Sequence, residues 1–192
     1  MREVGAISAT SRVVADRVAA PIVRRSGPLA VLEVGAGTGA VTDAILTRLG
    51  AGDRLDVYEI NATFAALLRV RYAEHPVRVV EADVDTLPPD ARYDAIVSSL
   101  PLMNFPPDKV RRVLARLGAA LLPGGTLSYY DYWGKEARCW LAWGRERRRM
   151  SGVLRETREF VRAMDHRREV VAWNVPPAVV HHVQRRGDPA RA

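Results

Sequence analysis

The sequence predicts an α/β fold: a doubly wound, mostly parallel seven-stranded sheet that ends in an antiparallel hairpin, with helices on both faces. Three observations predict it. Short apolar runs alternate with amphipathic stretches at the spacing of βαβ units. A glycine-rich turn, GAGTGA, separates the first apolar run from the first helix that follows it. After Trp133 the alternation stops, and two strand-like runs flank Pro176-Pro177.

The elements follow in order. LAVLEVG, 29–35, is apolar almost throughout, as a strand in the middle of a parallel sheet must be. AVTDAILTRLG continues as a helix that stops at Gly50. RLDVYEI, 54–60, is the second strand, and Asn61 caps the helix ATFAALLRVRYAEH. VRVVEAD, 77–83, and YDAIVSSL, 93–100, are the third and fourth strands. PPDKVRRVLARLGAALL is a helix opened by Pro and Asp. A Pro-Gly-Gly turn then leads into a fifth strand, 124–133. A long basic helical segment is expected from about Lys135 to Met164, and REVVAWNV and AVVHHVQ then pair as the hairpin. Residues 1–192 are expected to form one domain, with 1–25 as an N-terminal helical cap and 135–164 as a basic helical insertion.

Composition narrows the function classes. The net charge is +7, and it is carried almost wholly by Arg, with Lys only at 109 and 135. Such a surface suits an anionic partner: nucleic acid, anionic lipid or a phosphate-bearing ligand. The single Cys139 excludes an internal disulfide and a Cys-rich metal site, and no metal is expected. No signal-peptide core is visible at the N-terminus, and no run reaches the roughly 20 apolar residues of a membrane span. The expectation is a cytoplasmic protein, a monomer, either free or resting on a membrane surface.

The glycine turn reads in two ways. Gly35, Gly37 and Ala40 fit the dinucleotide pattern G-x-G-x-x-G/A, whereas Glu33 with Gly35, Gly37 and Gly39 gives E-x-G-x-G-x-G. Glu33 separates them, because a carboxylate just before the turn repels a pyrophosphate and suits a cation. S-adenosylmethionine has an ammonium and a sulfonium and no phosphate. Glu59, twenty positions after Gly39 at the end of the second strand, is placed to accept both ribose hydroxyls, and Ile60 to cover one adenine face. Asp83 at the third strand end is placed to accept from the adenine amino group, with Val84 on the other face. Three acids at consecutive strand ends beside a glycine turn favour S-adenosylmethionine as cofactor.

The fourth strand ends in SSLPLMNFPP. The turn Ser99-Leu100-Pro101-Leu102 resembles the strand-four turn of amine methyltransferases, Asn/Asp-Pro-Pro-Tyr, or Asn-Leu-Pro-Tyr in the rRNA adenine dimethyltransferases. The resemblance implies a side-chain oxygen and a backbone carbonyl that hold the reacting nitrogen. Here Ser replaces Asn and Leu replaces Tyr, which weakens the case for stacking a flat base. SLPLMNFP, with VGAISATS near the start and NVPPAVVHH near the end, resembles the bacterial phospholipid N-methyltransferases from about Val4 to Val183. That family implies a Rossmann-like class I methyltransferase fold and methylation of phosphatidylethanolamine towards phosphatidylcholine. A related subgroup methylates ornithine lipids. The main rival reading is an rRNA or DNA adenine N6-methyltransferase; a module that holds S-adenosylmethionine without turnover is a third.

On this reading Ser99, Leu100, Pro101, Asp131 and Tyr132 are the catalytic candidates. Ser99 also borders the cofactor. Tyr129 to Trp133 form an aromatic cluster suited to a methylated, cationic nitrogen. Asp131 is placed to steady the ammonium or relay its proton. Tyr130, Asn104, Asn174, His181, His182 and Arg185 are the substrate candidates, the last four as donors to a lipid phosphate. Two segments have the composition of surface-lying amphipathic helices. One is 135–164, with Trp140, Leu141 and Trp143 beside Arg145, Arg147, Arg148 and Arg149. The other is Ser8 to Arg25, where Arg12, Arg17, Arg24 and Arg25 flank a Val14, Val18, Ile22 stripe. The related enzymes usually carry a longer N-terminal helix for attachment, so either attachment is weaker here or Ser8 to Arg25 serves. The partners expected are a phospholipid head group and an anionic membrane surface at the inner face of the cytoplasmic membrane, with nucleic acid disfavoured.

Overall fold

The computed structural model describes residues 11–23, 27–172 and 176–186. Its sheet has seven strands in the order β3-β2-β1-β4-β5-β7-β6. The strands are β1 Ala30–Val34, β2 Arg54–Glu59, β3 Val77–Glu81, β4 Tyr93–Ser98, β5 Leu121–Tyr132, β6 Asp165–Val171 and β7 Ala178–Gln184. The first five run parallel to their neighbours, while β7 is antiparallel to both β5 and β6. This is the expected architecture. The chain leaves β1 for β2 on one side and later returns to β4 on the other. That reversal opens a crevice above the carboxyl ends of β1 and β4, where open α/β sheets bind ligands.

Helices cover both faces. Helices α1 Arg12–Ala19, α2 Ala40–Leu46 and α3 Ala62–Arg71 share one core, in which Val14, Val18, Ile45 and Leu68 are sealed from solvent. Helices α4 Pro107–Ala120 and α6 Gly144–Arg162 cover the other, around Ile96, Val113, Leu117 and Leu127. The Val14, Val18, Ile22 stripe therefore faces protein, which corrects the membrane reading of that stripe. Arg24 and Arg25 lie outside the described residues. Ser11 caps α1 by accepting from the Val14 amide, and Asn61 caps α3 by accepting from Thr63 and Phe64, as its position after a strand implies.

Three boundaries differ from the expectation. The strand β5 begins at Leu121, so Pro123-Gly124-Gly125 sits inside it as an irregularity, where the register against β4 shifts between Tyr93 and Ala95. Gly125 is required there: a Cβ would stand 2.9 Å from the Leu122 carbonyl and 3.0 Å from that of Asp94. The basic segment 135–164 is two helices, α5 Lys135–Leu141 and α6, because Ala142 and Trp143 are extended and Gly144 takes φ +57°. The strand β6 starts at Asp165 and not near Arg168, because the charged run pairs with β7 as an edge.

Helices α4 and α6 approach closely through glycines. A Cβ on Gly118 would lie 2.9 Å from the Phe160 ring, and one on Gly152 would lie 2.5 Å from Pro107 Cγ. A proline ring cannot move aside as a flexible chain can. Gly152→Ala is therefore expected to overpack this contact and cost about 1–3 kcal/mol, outweighing the better helix propensity of Ala. A urea midpoint at or above that of the wild type would contradict it.

Candidate active site

The turn after β1 is shaped by its glycines. Gly35 has φ +77°, and a Cβ there would press on Leu100 Cδ2 at 3.1 Å, so strand one and the strand-four turn touch only because the side chain is absent. Gly39 has φ +92° at the N-cap of α2, and a Cβ would overlap the Tyr72 hydroxyl. Helix α3 braces the turn from outside. Tyr72 Oη lies 2.9 Å from the Gly39 carbonyl and 2.7 Å from Asp43 Oδ1, and Arg71 donates to the Thr38 carbonyl at 3.0 Å.

Glu33 sits beneath this turn and not in the crevice. It is fully buried, its Oε2 accepts from the Thr42 hydroxyl at 2.7 Å, and its Oε1 has no hydrogen-bond partner. Burial, with Glu59 and Asp43 nearby, pushes its carboxyl up to about 8 despite the Thr42 bond. At neutral pH it is mainly the uncharged acid. The expected direct reading of a cationic ligand by Glu33 is corrected: the side chain ties β1 to α2, because the strand's alternation turns it into the core.

Above the turn is a cavity of about 300 Å³. Among the expected cofactor residues, Gly35, Gly37, Glu59, Ile60, Asp83, Val84 and Ser99 line it; Gly39 and Glu33 do not. Glu59 is nearly buried, with its carboxylate fixed by the Gly37 amide at 2.9 Å and the Asn61 amide at 2.8 Å. Each oxygen retains a lone pair for a ligand hydroxyl. Asp83 accepts from the Asp85 amide at 3.0 Å and from Lys109 Nζ at 2.7 Å. Burial opposes its charge, but these two donors hold its carboxyl below the ordinary range. Ile60 is an exposed apolar rim.

Sequence reading missed Lys109, Phe105, Phe64 and Thr38, which also line the cavity. Lys109 reaches it from the first turn of α4 and lies 5.1 Å from the Phe105 ring centre. Its isolation as one of two lysines among many arginines was the only hint.

The reaction candidates divide. Ser99, Leu100, Pro101 and Tyr130 line the cavity together, and Ser99 Oγ is buried without a partner. The Leu100 carbonyl accepts from the Leu102 amide at 2.8 Å, which leaves it one lone pair. Tyr132 does not line the cavity but packs edge-on against Tyr130, with ring centres 6.3 Å apart. Asn104 is exposed in the short turn Leu102–Asn104, just before Phe105. Asp131 turns to the opposite face of β5 from Tyr130 and pairs with Lys135.

The phosphate donors do not converge. His181 is buried and stacks on Tyr129 at 4.7 Å, and His182 Nδ1 is engaged by Ser128 Oγ at 2.9 Å. Arg185 donates to the Leu121 carbonyl at 2.5 Å, near the start of β5. The Arg185 amide donates to the Gly125 carbonyl, and Gly125 is roughly 23 Å along the strand from Tyr132 at the usual rise. The expected role of Arg185 in the site is therefore corrected. Asn174 lies outside the described residues.

Residues 31–125, about half of the chain, match the family model of methyltransferase domains. An uncharacterized methyltransferase of Mycobacterium tuberculosis is 33% identical over 107 residues, 55% of this chain and 52% of that one. The ornithine lipid N-methyltransferase of Singulisphaera acidiphila is 36% identical over 105 residues, 51% of this chain and 55% of that one. The chain thus spans about half the length of the curated relatives it matches. The N-methyltransferase NodS of Bradyrhizobium japonicum, in complex with S-adenosyl-L-homocysteine, superposes with a TM-score of 0.67 at 16% identity, covering 91% of this chain and 85% of that one. The fold is the Rossmann-like class I methyltransferase fold, and S-adenosylmethionine is its cofactor.

Two outcomes follow from the carboxyls. Glu59→Ala should weaken S-adenosylmethionine binding at least tenfold in calorimetry, since charge-assisted bonds contribute about 1.5–3 kcal/mol each; unchanged affinity would remove Glu59 from the site. The Glu33 group is raised on folding, so its favourable contribution is complete below about pH 4.5 and lost as pH climbs towards 8, at most about 1.4 kcal/mol per pH unit. In Glu33→Gln that decline should vanish, so the variant gains on the wild type between pH 5 and 8; parallel urea-stability profiles would refute the buried acid.

Proposed function

We propose that this chain is an S-adenosylmethionine-dependent N-methyltransferase that acts on the amine head group of a membrane lipid, phosphatidylethanolamine or an ornithine lipid, at an anionic membrane surface. The observation that carries the chemistry is Ser99 Oγ, a buried hydroxyl with no partner in the wall that also holds Glu59 and Asp83. With the free lone pair of the Leu100 carbonyl it offers an amine two acceptors in the strand-four turn.

When bound, S-adenosylmethionine supplies an electrophilic methyl group. The chain's part is to orient it and to hold a neutral nitrogen in line with the sulfur–carbon bond. Glu59 and Asp83 take opposite ends of the nucleoside. Ser99 and Leu100 direct the nitrogen lone pair, and the Tyr130 face favours charge gathering on the nitrogen. Leu102, at the position where a base-stacking Tyr stands in adenine-modifying enzymes, favours a head group over a flat base.

The surface supports a lipid substrate. Trp133 (68% exposed), Trp140 (74%), Leu141 (63%) and Trp143 (88%) stand in solvent on α5 and the linkers around it, just beyond the carboxyl end of β5. Arg145, Arg147 and Arg148 follow on α6, exposed and paired with no acid among the described residues. Indole rings with unpaired cations suit an anionic interface, where each Arg contributes about 1 kcal/mol. Among the described residues no helix is long and apolar enough to cross a membrane. The Singulisphaera relative favours the ornithine-lipid form of this reading.

Methyl-labelled S-adenosylmethionine, offered with phosphatidylethanolamine, ornithine lipid and total RNA in parallel, should label one of the lipids. Label in RNA alone would overturn the reading. The Trp140→Ala/Trp143→Ala double variant should pellet less with phosphatidylglycerol vesicles; equal pelleting would leave those rings without a membrane role.

A further inference from the structure

The wall of the cavity beside Asp83 carries a cation. Lys109 stands in the first turn of α4, where a positive side chain works against the helix dipole, so helix stability does not account for it. Its Nζ donates to Asp83 Oδ2 at 2.7 Å and lies 5.1 Å from the centre of the Phe105 ring, and both partners also line the cavity. An ammonium has three N–H donors and no acceptor. Among the described residues Asp83 takes one of them, which leaves two without a protein acceptor on a side chain that lines the cavity. Asp83 is likewise half engaged: Oδ1 accepts from the Asp85 amide and Oδ2 from Lys109, so each oxygen keeps a lone pair. An acceptor and a donor therefore stand side by side, fixed to one another.

We propose that Lys109 sets the specificity for the cofactor's base: Asp83 accepts from the amino group of adenine, and the unused N–H groups of Lys109 donate to a ring nitrogen next to it. The inference rests on the placement of the nucleoside between Glu59 and Asp83 and does not depend on which amine is methylated. Adenine carries an N–H donor flanked by ring-nitrogen acceptors, N7 on one side and N1 on the other. A lone carboxylate reads that edge poorly, because it accepts as readily from the N1–H of hypoxanthine as from the amino group of adenine. A donor beside the carboxylate turns one contact into a two-point match. With the ribose held at Glu59, whose carboxylate is itself fixed by two amides, the base is not free to slide. Hypoxanthine would then set its carbonyl oxygen against the carboxylate.

The surroundings suit a donor that stays in place. The ammonium is held between the Asp83 carboxylate and the Phe105 ring, a cation–π contact. The two charged side chains are only 27% and 28% exposed, so their bonds count for more than at an open surface. Pro106 and Pro107 open α4 and restrict the backbone that leads into its first turn.

The test is calorimetric binding of S-adenosylhomocysteine to the full chain, beside its 1-deaza and 7-deaza analogues and S-inosylhomocysteine. The wild type should bind S-inosylhomocysteine and one of the two deaza analogues about tenfold or more weakly than S-adenosylhomocysteine, the loss expected of a hydrogen bond to a charged donor. Lys109→Met keeps the stem and removes the donors. It should bind S-adenosylhomocysteine about tenfold more weakly, cease to distinguish it from that deaza analogue, and discriminate less against S-inosylhomocysteine. Lys109→Arg retains a cationic donor and should recover part of the loss, which keeps the test valid if Lys109→Met fails to fold. Unchanged affinity in Lys109→Met would overturn the proposal. So would an equal loss for every analogue, which is what a mere prop for Asp83 produces. If Asp83→Asn also binds S-adenosylhomocysteine like the wild type, the placement of the nucleoside beside Asp83 is overturned instead.

Discussion

A backbone that must come within touching distance of its ligand has no side chains with which to hold itself in place. The turn between β1 and α2 is in that position, and the surrounding structure supplies the missing restraint. The Glu33–Thr42 hydrogen bond locks it from below, inside the core, where an uncharged carboxyl costs far less than an ion would. Tyr72 and Arg71 hold it from the side. The Glu59 carboxylate spans two amides and fixes the lip where Gly37 sits. The cavity can bind without first paying to order its own loop.

The sheet then separates tasks by face and by end. Carboxyl ends of β1 to β5 carry the cavity and the strand-four turn. The side of β5 bearing Tyr130 lines the cavity, while the side bearing Tyr129 and Asp131 joins a stack of rings with β7 and β6. The antiparallel pairing of β7 with β5 makes this possible, because it sets His181 directly opposite Tyr129. Helices α5 and α6 meet at an extended, glycine-relieved corner, which keeps Trp143 outside both cores.

Most of the fold was legible in the sequence, because continuous apolar runs and a glycine turn admit few arrangements. What misled was local. Pro123-Gly124-Gly125 reads as a turn, yet tertiary pairing with β4 and β7 absorbs it into a strand. Lys135 to Met164 reads as one helix, since neither Ala142 nor Trp143 is a breaker and a single Gly144 decides the matter. The site was legible where one residue at a strand end determines direction, as at Glu59, Asp83 and Ser99. It was not legible where strand alternation decides: Glu33 lies only two residues before Gly35 but points inward. Arg185 lies close to His181 in sequence but far from the cavity, because β7 runs away from it. Lys109 gave no hint beyond its rarity as a lysine, since its position at the cavity depends on where the first turn of α4 lands.

The outer border of the sheet also bears on how many copies can work side by side. Strand β6 is the last in its order, and among the described residues no strand pairs with its outer edge, which leaves a row of backbone donors and acceptors facing outward. Asp165, His166, Arg167, Arg168 and Glu169 occupy most of that strand, five charged or ionisable side chains in succession. A second copy trying to extend the sheet would have to bring those charges against its own. Two copies brought edge to edge thus meet an electrostatic fence where stacking into fibres would otherwise begin.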